Sequence, residues 1–223
     1  MSSLVLLKTL GKKKVLAAAI PLIIATQAQG IEFYAAGVDA TLDSKVSMGQ
    51  SWRMGNAAER ITSDANRDDG DEHYSKHDTF SQIFKGSHDL QVSYENYGAF
   101  VRGKYWYDVE LENDDTLDDS DNHDLAKYSG AEILDAFVYG EFDLFDMPVD
   151  VRLGKQVVNW GESTFFGGGI NSINPFDKSA VRRPGAEIKE ALIPINMAFI
   201  GIGITDNLSA EAFYLLGFHE TVT

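Results

Sequence analysis

From Val38 to Met54 the even positions read Val, Ala, Leu, Ser, Val, Met, Gln, Trp, Met, and the odd positions Asp, Thr, Asp, Lys, Ser, Gly, Ser, Arg. Seventeen residues hold period 2 with no apolar side chain out of phase, which is a strand with one greasy and one polar face. Strands of water-soluble domains average about 5 to 6 residues. This length suits a tilted membrane crossing of about 9 to 11 residues with an extension beyond the lipid. Trp52 near one end fits an interfacial girdle of aromatic side chains.

The pattern recurs along the chain. Leu90, Val92 and Tyr94 share one face of a second strand, and Glu95-Asn96-Tyr97-Gly98 supplies a turn in which Asn and Gly tolerate positive φ. A third strand puts Ala99, Val101, Gly103, Tyr105, Tyr107, Val109 and Leu111 opposite Arg102, Lys104, Asp108, Glu110 and Glu112, with Phe100 and Trp106 interrupting the polar face. Residues 133 to 142 alternate less cleanly, with Leu134, Ala136, Val138, Gly140 and Phe142 expected on the lipid side. In a fifth strand Val149, Val151, Leu153 and Val157 oppose Asp150, Arg152 and Gln156. Residues 195–204 and 209–218 flank the tight turn Thr205-Asp206-Asn207-Leu208.

Between these strands the connections run long, short, long, short, long, short. Short periplasmic turns alternating with longer external loops are the habit of outer-membrane barrels. The expected fold is therefore all-β, an antiparallel up-and-down transmembrane β-barrel of outer-membrane type. A soluble sandwich also alternates apolar and polar residues, but it leaves the loop-length rhythm unexplained. Bacterial single-chain barrels have even strand numbers from 8 upward, so seven strands lead to the expectation of an incomplete, N-terminal part of a longer barrel.

Lys8 and Lys12 to Lys14 precede the apolar run Val15–Ala25, which ends in Thr26-Gln27-Ala28. A basic start, a short apolar run and small residues before a cut predict a cleaved secretory signal over residues 1–28, with the barrel domain over 29–223. Removing it leaves 15 basic residues against 34 acidic ones, a net of −19. Such a charge opposes nucleic acid as a partner and favours cations. The absence of cysteine excludes disulfides, thiolate zinc sites and thiol catalysis.

One stretch breaks the rhythm. Residues 159–194 carry no strand period and balance Glu162, Asp177, Glu187 and Glu190 against Lys178, Arg182, Arg183 and Lys189. The two other long connections hold seven acids each, against three bases and one. Charges that leave water need partners, so a balanced set suits a loop folded into the barrel as a constriction. Trp160, Glu162, Asp177, Arg182, Arg183, Glu187 and Lys189 are its candidate pore residues, and Gly167, Gly168 and Gly169 its candidate hinge. Phe100, Arg102, Lys104, Trp106 and Arg152 are candidates to face the lumen.

Motifs for chemistry fail one by one. Trp160-Gly161-Glu162-Ser163-Thr164 does not match the G-x-S-x-G elbow. Asp64 to Gly70 approaches a calcium loop with its glycine one place late and Ser75 where the bidentate Glu belongs. His73 and His77 lack the HExxH context. The glycine triplet lacks the Lys-Ser/Thr of a phosphate loop, and Asn207-Leu208-Ser209 reads as turn chemistry. The Asp cluster at 114, 115, 118, 119, 121 and 124 is a weak candidate for loosely held divalent cations. No catalytic residue, metal site or cofactor is expected, and the chain is read as a non-enzyme.

Ser51-Trp52-Arg53, Phe84-Lys85-Gly86, His88-Asp89-Leu90, Asn96 to Gly103, Leu134 to Gly140, Arg152 to Val158, Trp160 to Ser163, Ile173-Asn174-Pro175, Arg182-Arg183-Pro184-Gly185 and Thr205 to Leu208 follow one another in an order that resembles an uncharacterised proteobacterial outer-membrane family with the domain-of-unknown-function label 1302. The resemblance implies outer-membrane lipid as surroundings, with a periplasmic lipoprotein and export-type membrane proteins as partners, and so traffic in hydrophobic molecules. It carries no catalytic residues. Together these readings lead to a channel or transporter component for small, apolar molecules. The alternative is a surface barrel, an adhesin or structural protein, that uses its acidic external loops to hold cations or neighbours.

Overall fold

The computed structural model describes residues 24–27, 30–56, 74–115, 117–160 and 173–222, with the backbone alone at 24–27 and 188–189. Nine strands among these residues form one antiparallel sheet: β1 (Ile24–Gln27), β2 (Ile31–Ala35), β3 (Val38–Trp52), β4 (Thr79–Tyr94), β5 (Tyr97–Asp108), β6 (Ser129–Leu144), β7 (Met147–Gln156), β8 (Ile195–Thr205) and β9 (Leu208–Leu215). From β2 onward each strand pairs with the next in the chain. β1 lies within the stretch expected to be a signal, and it shares with β2 the outer edge of β3, opposite residues 45–48. No pairing joins β9 back to β1, β2 or β3 among the described residues, so the sheet is open.

All the short turns lie at one end of the sheet: Ala36-Gly37, Glu95-Asn96, Phe145-Asp146 and Asp206-Asn207. Positive φ at Ala36 (53°), Gly37 (82°), Glu95 (52°), Phe145 (55°) and Asp146 (62°) gives these tight links the backbone twist that matches the strands. At the second turn the left-handed residue is Glu95, not the expected Asn96 or Gly98, because Tyr97 and Gly98 already belong to β5.

The burial of the sheet is inverted relative to a soluble protein. On one face Ser47, Ser51, Ser81, Lys85, Ser87, Lys104 and Asp108 are buried. On the other Met48, Phe84, Leu90, Val101, Tyr107, Val138, Leu153 and Ile200 are exposed. The registers agree with this division: Ser47 faces Lys85, and Met48 faces Phe84. The polar face is called the inner face below. His88 and Ser44 are a polar exception on the outer face, and they hydrogen-bond to each other at 2.8 Å.

Further sequence expectations need correction. Two N-terminal strands, β1 and β2, precede the first expected one; they are too short for a periodicity to register. The third expected strand, β5, stops at Asp108 rather than running to Glu112, because the Asp108 carboxylate caps a helical turn α1 (Val109–Glu112) by accepting from the backbone of Glu110 and Leu111. In β6 the phase slips. Val101 pairs with Ala136 but Gly103 with Ile133, so a bulge puts Leu134 and Asp135 opposite Arg102. Leu134 is consequently buried, and Ile133 takes the outward position. The weak alternation of residues 133–142 is the trace of that bulge.

Candidate functional site

The inner faces of β3, β4 and β5 each contribute one lysine. Lys45 stands opposite Ser87, which stands opposite Lys104; in the next row Ser47 faces Lys85, which faces Trp106. A cation covered by protein needs a counter-charge, and residues 173–194 supply one for each. Glu187 pairs with Lys45, Glu190 lies 2.9 Å from Lys85, and Asp177 lies 3.5 Å from Lys104. The last two pairs are almost dry, whereas Lys45 and Glu187 keep about a third of their surface in solvent.

Local structure places these acids. Two short helices interrupt the segment, α2 (Lys178–Arg182) and α3 (Ile188–Ala191). Asp177 caps α2 with Oδ1, accepting from Ala180 N at 2.9 Å, and its own N–H donates to Ala191 O at 2.7 Å. The other oxygen, Oδ2, has no hydrogen bond among the described residues, since 3.5 Å to Lys104 is a charge contact rather than a good bond. Glu187 precedes α3 but does not cap it, which leaves its carboxylate for Lys45. Asn174 ties the ends of the segment together, accepting from Val158 N at 3.1 Å and donating to Ile193 O at 3.0 Å and Gln156 O at 3.4 Å.

Trp106 is the anchor. Arg183 lies 4.4 Å from its ring centroid and Lys104 lies 5.3 Å from it, while the indole N–H donates to Lys127 O at 2.8 Å. Arg183 also donates to Leu125 O at 2.5 Å and Lys127 O at 3.1 Å. Burial pushes the Arg183 guanidinium below its usual value, and Asp177, Glu190 and Asp108 draw it back. Beneath lie Ile83, Leu125, Ile193 and Val222, a small buried cluster with Trp106. Pro184, next in the chain, leans on β3 at Gly49, where an added Cβ would sit 2.7 Å from the proline ring.

Toward the short turns the inner face changes character. One row across the sheet reads Phe100, Phe137, Gly154, Met197, Leu215 and the next Gly98, Tyr139, Arg152, Phe199, Phe213. Phe100 and Phe137 are 5.5 Å apart. The cations here are neutralised within the sheet. Arg102 donates to Asp89 at 2.6 and 2.7 Å and lies over Phe100, and Arg152 donates to Asp150 at 2.9 Å and lies 4.5 Å over Phe199. Trp160 donates to Glu211 at 2.6 Å and packs on Phe213.

Asp177 and Arg183 thus meet Lys104 and Trp106 as one cluster, and Glu187 meets Lys45. Phe100 and Arg152 belong to the apolar rows instead, Arg102 is paired with Asp89 beside them, and Trp160 lies on the β9 side. Arg182 is exposed and joins none of these ion pairs. Glu162 and Gly167 to Gly169 lie outside the described residues, as does the side chain of Lys189. Sequence reasoning did not name Lys45, Lys85, Glu190, Asn174, Tyr139, Phe199 or Phe213 as site residues. Lys45 was visible as a lone cation on a polar face; Lys85 needed β4 to begin at Thr79, which its sequence does not announce.

No curated protein and no solved structure matches the chain. A family model described as "Protein of unknown function (DUF1302)" matches residues 12–223. On that match, which spans most of its length, the chain belongs to the DUF1302 family.

Proposed function

We propose that this chain builds the wall of an outer-membrane β-barrel and serves as a channel or transporter component for small apolar or amphipathic molecules, with residues 159–194 as its constriction. The membrane part of the reading is supported by the outer face. Tyr94, Tyr97 and Phe142 stand near the short turns, and Phe84, Tyr105 and Tyr107 near the long loops. Tyr97 and Tyr107 are ten residues apart, about 33 Å along a strand, which at a tilt of about 40° spans about 25 Å, the height of an outer-membrane apolar band. The signal segment, export to the outer membrane and the periplasmic partners belong to the same reading.

The observation that carries the transport part is the apolar stripe on the inner face, Phe100, Phe137, Tyr139, Met197, Phe199 and Phe213, directly below a segment clamped by three ion pairs. An ion-selective or merely structural lumen has no use for rings there. The full chain in planar bilayers is expected to conduct weakly, with block by apolar solutes, and to admit such solutes into liposomes. Silence at all voltages together with no uptake would remove the channel reading. The cation-holding surface barrel draws no geometric support, because no group of three or more His, Asp or Glu among the described residues is placed around a common ion.

A further inference from the structure

At the long-loop end of the inner face a cavity of about 550 Å³ opens between α2, the starts of β4 and β5's end, and the loop before β6. That is within the range of small-molecule sites, roughly 300 to 1,000 Å³. Its wall is mostly apolar: Phe80, Ile83, Leu111, Ala126 and Pro184, with the ring of Tyr74 packed beside Phe80 at 6.2 Å. In a chain of net charge −15 this lining is cationic, with Arg53, Lys127, Arg182 and Arg183 against Asp108 alone.

Most of those charges are already committed. Asp108 is covered by donors, the Ser81 hydroxyl and the backbone N–H groups of Gln82 at 2.9 Å, Glu110 at 3.2 Å and Leu111 at 3.4 Å. Lys127 pairs with Asp124 at 2.8 Å, Arg53 donates to the carbonyls of Gly55 and Tyr74, and Arg183 is held on Trp106. Arg182 and Ser179 both line the cavity, and neither side chain has a partner among the described residues. They are three residues apart on α2 and so share one face of it. A guanidinium with a neighbouring hydroxyl presents the fork that a carboxylate accepts.

We propose that this cavity is a capture site for small anionic amphiphiles, monocarboxylates whose single charge meets Arg182 and Ser179 and whose apolar body lies against Phe80, Ile83 and Leu111. Among the described residues of the lining, one free cation and one hydroxyl match one carboxylate; Glu110 and Asp114, whose charges act on Tyr74 in the cavity wall, disfavour a multiply charged anion such as a phosphate monoester. That the site captures ligands for passage rests on the channel reading above; that it binds them does not.

The test is calorimetric titration of the full chain in lipid nanodiscs with octanoate and with its neutral counterpart octanamide. Octanoate is expected to bind about tenfold more tightly, the worth of one charge-assisted hydrogen-bonding contact. Arg182→Gln should abolish that preference, Arg182→Lys should restore part of it, and Leu111→Trp, which fills the cavity, should weaken both ligands. Equal affinity for the two ligands, an equal loss for both in Arg182→Gln, or undiminished binding in Leu111→Trp would overturn the site. A silent bilayer with octanoate preference intact removes the channel and leaves the site; conductance without preference does the reverse.

Discussion

The ammonium of Lys85 lies 2.9 Å from Oε2 of Glu190, with only 9% and 12% of the two side chains exposed. A pair so nearly dry behaves asymmetrically. Removing one partner strands a charge, at a cost of about 3 to 5 kcal/mol, whereas replacing both by apolar groups is close to neutral. Lys85→Met alone should therefore loosen residues 173–194, seen as faster proteolysis of the segment and higher conductance, and Lys85→Met with Glu190→Met should recover most of the protection. A double variant as labile as the single one would show that the pair does not hold the segment.

The contact of Pro184 with Gly49 makes a steric prediction. Any side chain at Gly49 enters the proline ring, so Gly49→Leu should lift the corner Arg182-Arg183-Pro184-Gly185 off β3, with Gly49→Ala milder. Trypsin cleavage after Arg182 in the full chain reports it. Unchanged resistance in Gly49→Leu would mean that the corner packs elsewhere.

The outer face should behave as a lipid contact. Leu153 is 54% exposed and pairs with Val138 and Ala198 in the middle of that face. In an outer-membrane barrel Leu153→Arg costs about 2 to 4 kcal/mol near the bilayer midplane, measurable as the shift in urea unfolding of the liposome-inserted chain. A shift below about 0.5 kcal/mol, the usual range of a water-exposed surface change, would argue for water on that face.

Tyr74 carries a pH prediction. Burial first, and then the charges of Asp114 and Glu110, push its phenol up to about 12. The neutral phenol is thus favoured in the folded loops, while an unfolded tyrosine ionises near pH 10. The stabilisation is present below pH 10 and lost as pH rises through about 12. Proteolysis of the loops around Tyr74 should accelerate across that window, and less steeply in Tyr74→Phe. Parallel curves for the two chains would contradict it.

The sheet was legible in the sequence because its period is 2 and its two solvents differ. Wherever both faces hold their character, as in β3, the strand and its outward residues follow from the order of the side chains. Legibility ends where backbone geometry intervenes. Leu134 looks outward by count, and only the bulge opposite Arg102 says otherwise; Glu95 takes a left-handed turn position that nothing in its chemistry requests. The inward segment was legible as a charge balance, but not as pairs. Glu187 and Lys45 are 142 residues apart, and no local rule selects one lysine from the many. The aromatic stripe was visible only in part, through Phe100, since β8 places Phe199 inward only by its register with Arg152.

The strict alternation that splits the sheet into two faces also governs what happens before there is a sheet. A run of about 18 or more apolar residues is held in the first bilayer an exported chain meets; here every second residue dilutes the run, and no helix of the described residues is long and apolar enough to cross a membrane. In the outer-membrane reading, the same side chains pass the inner membrane as an inconspicuous polymer and become a lipid-soluble surface only once neighbouring strands have sorted them to one side. The greasiness of this protein is a property of its folding, stored in the chain as phase rather than as length.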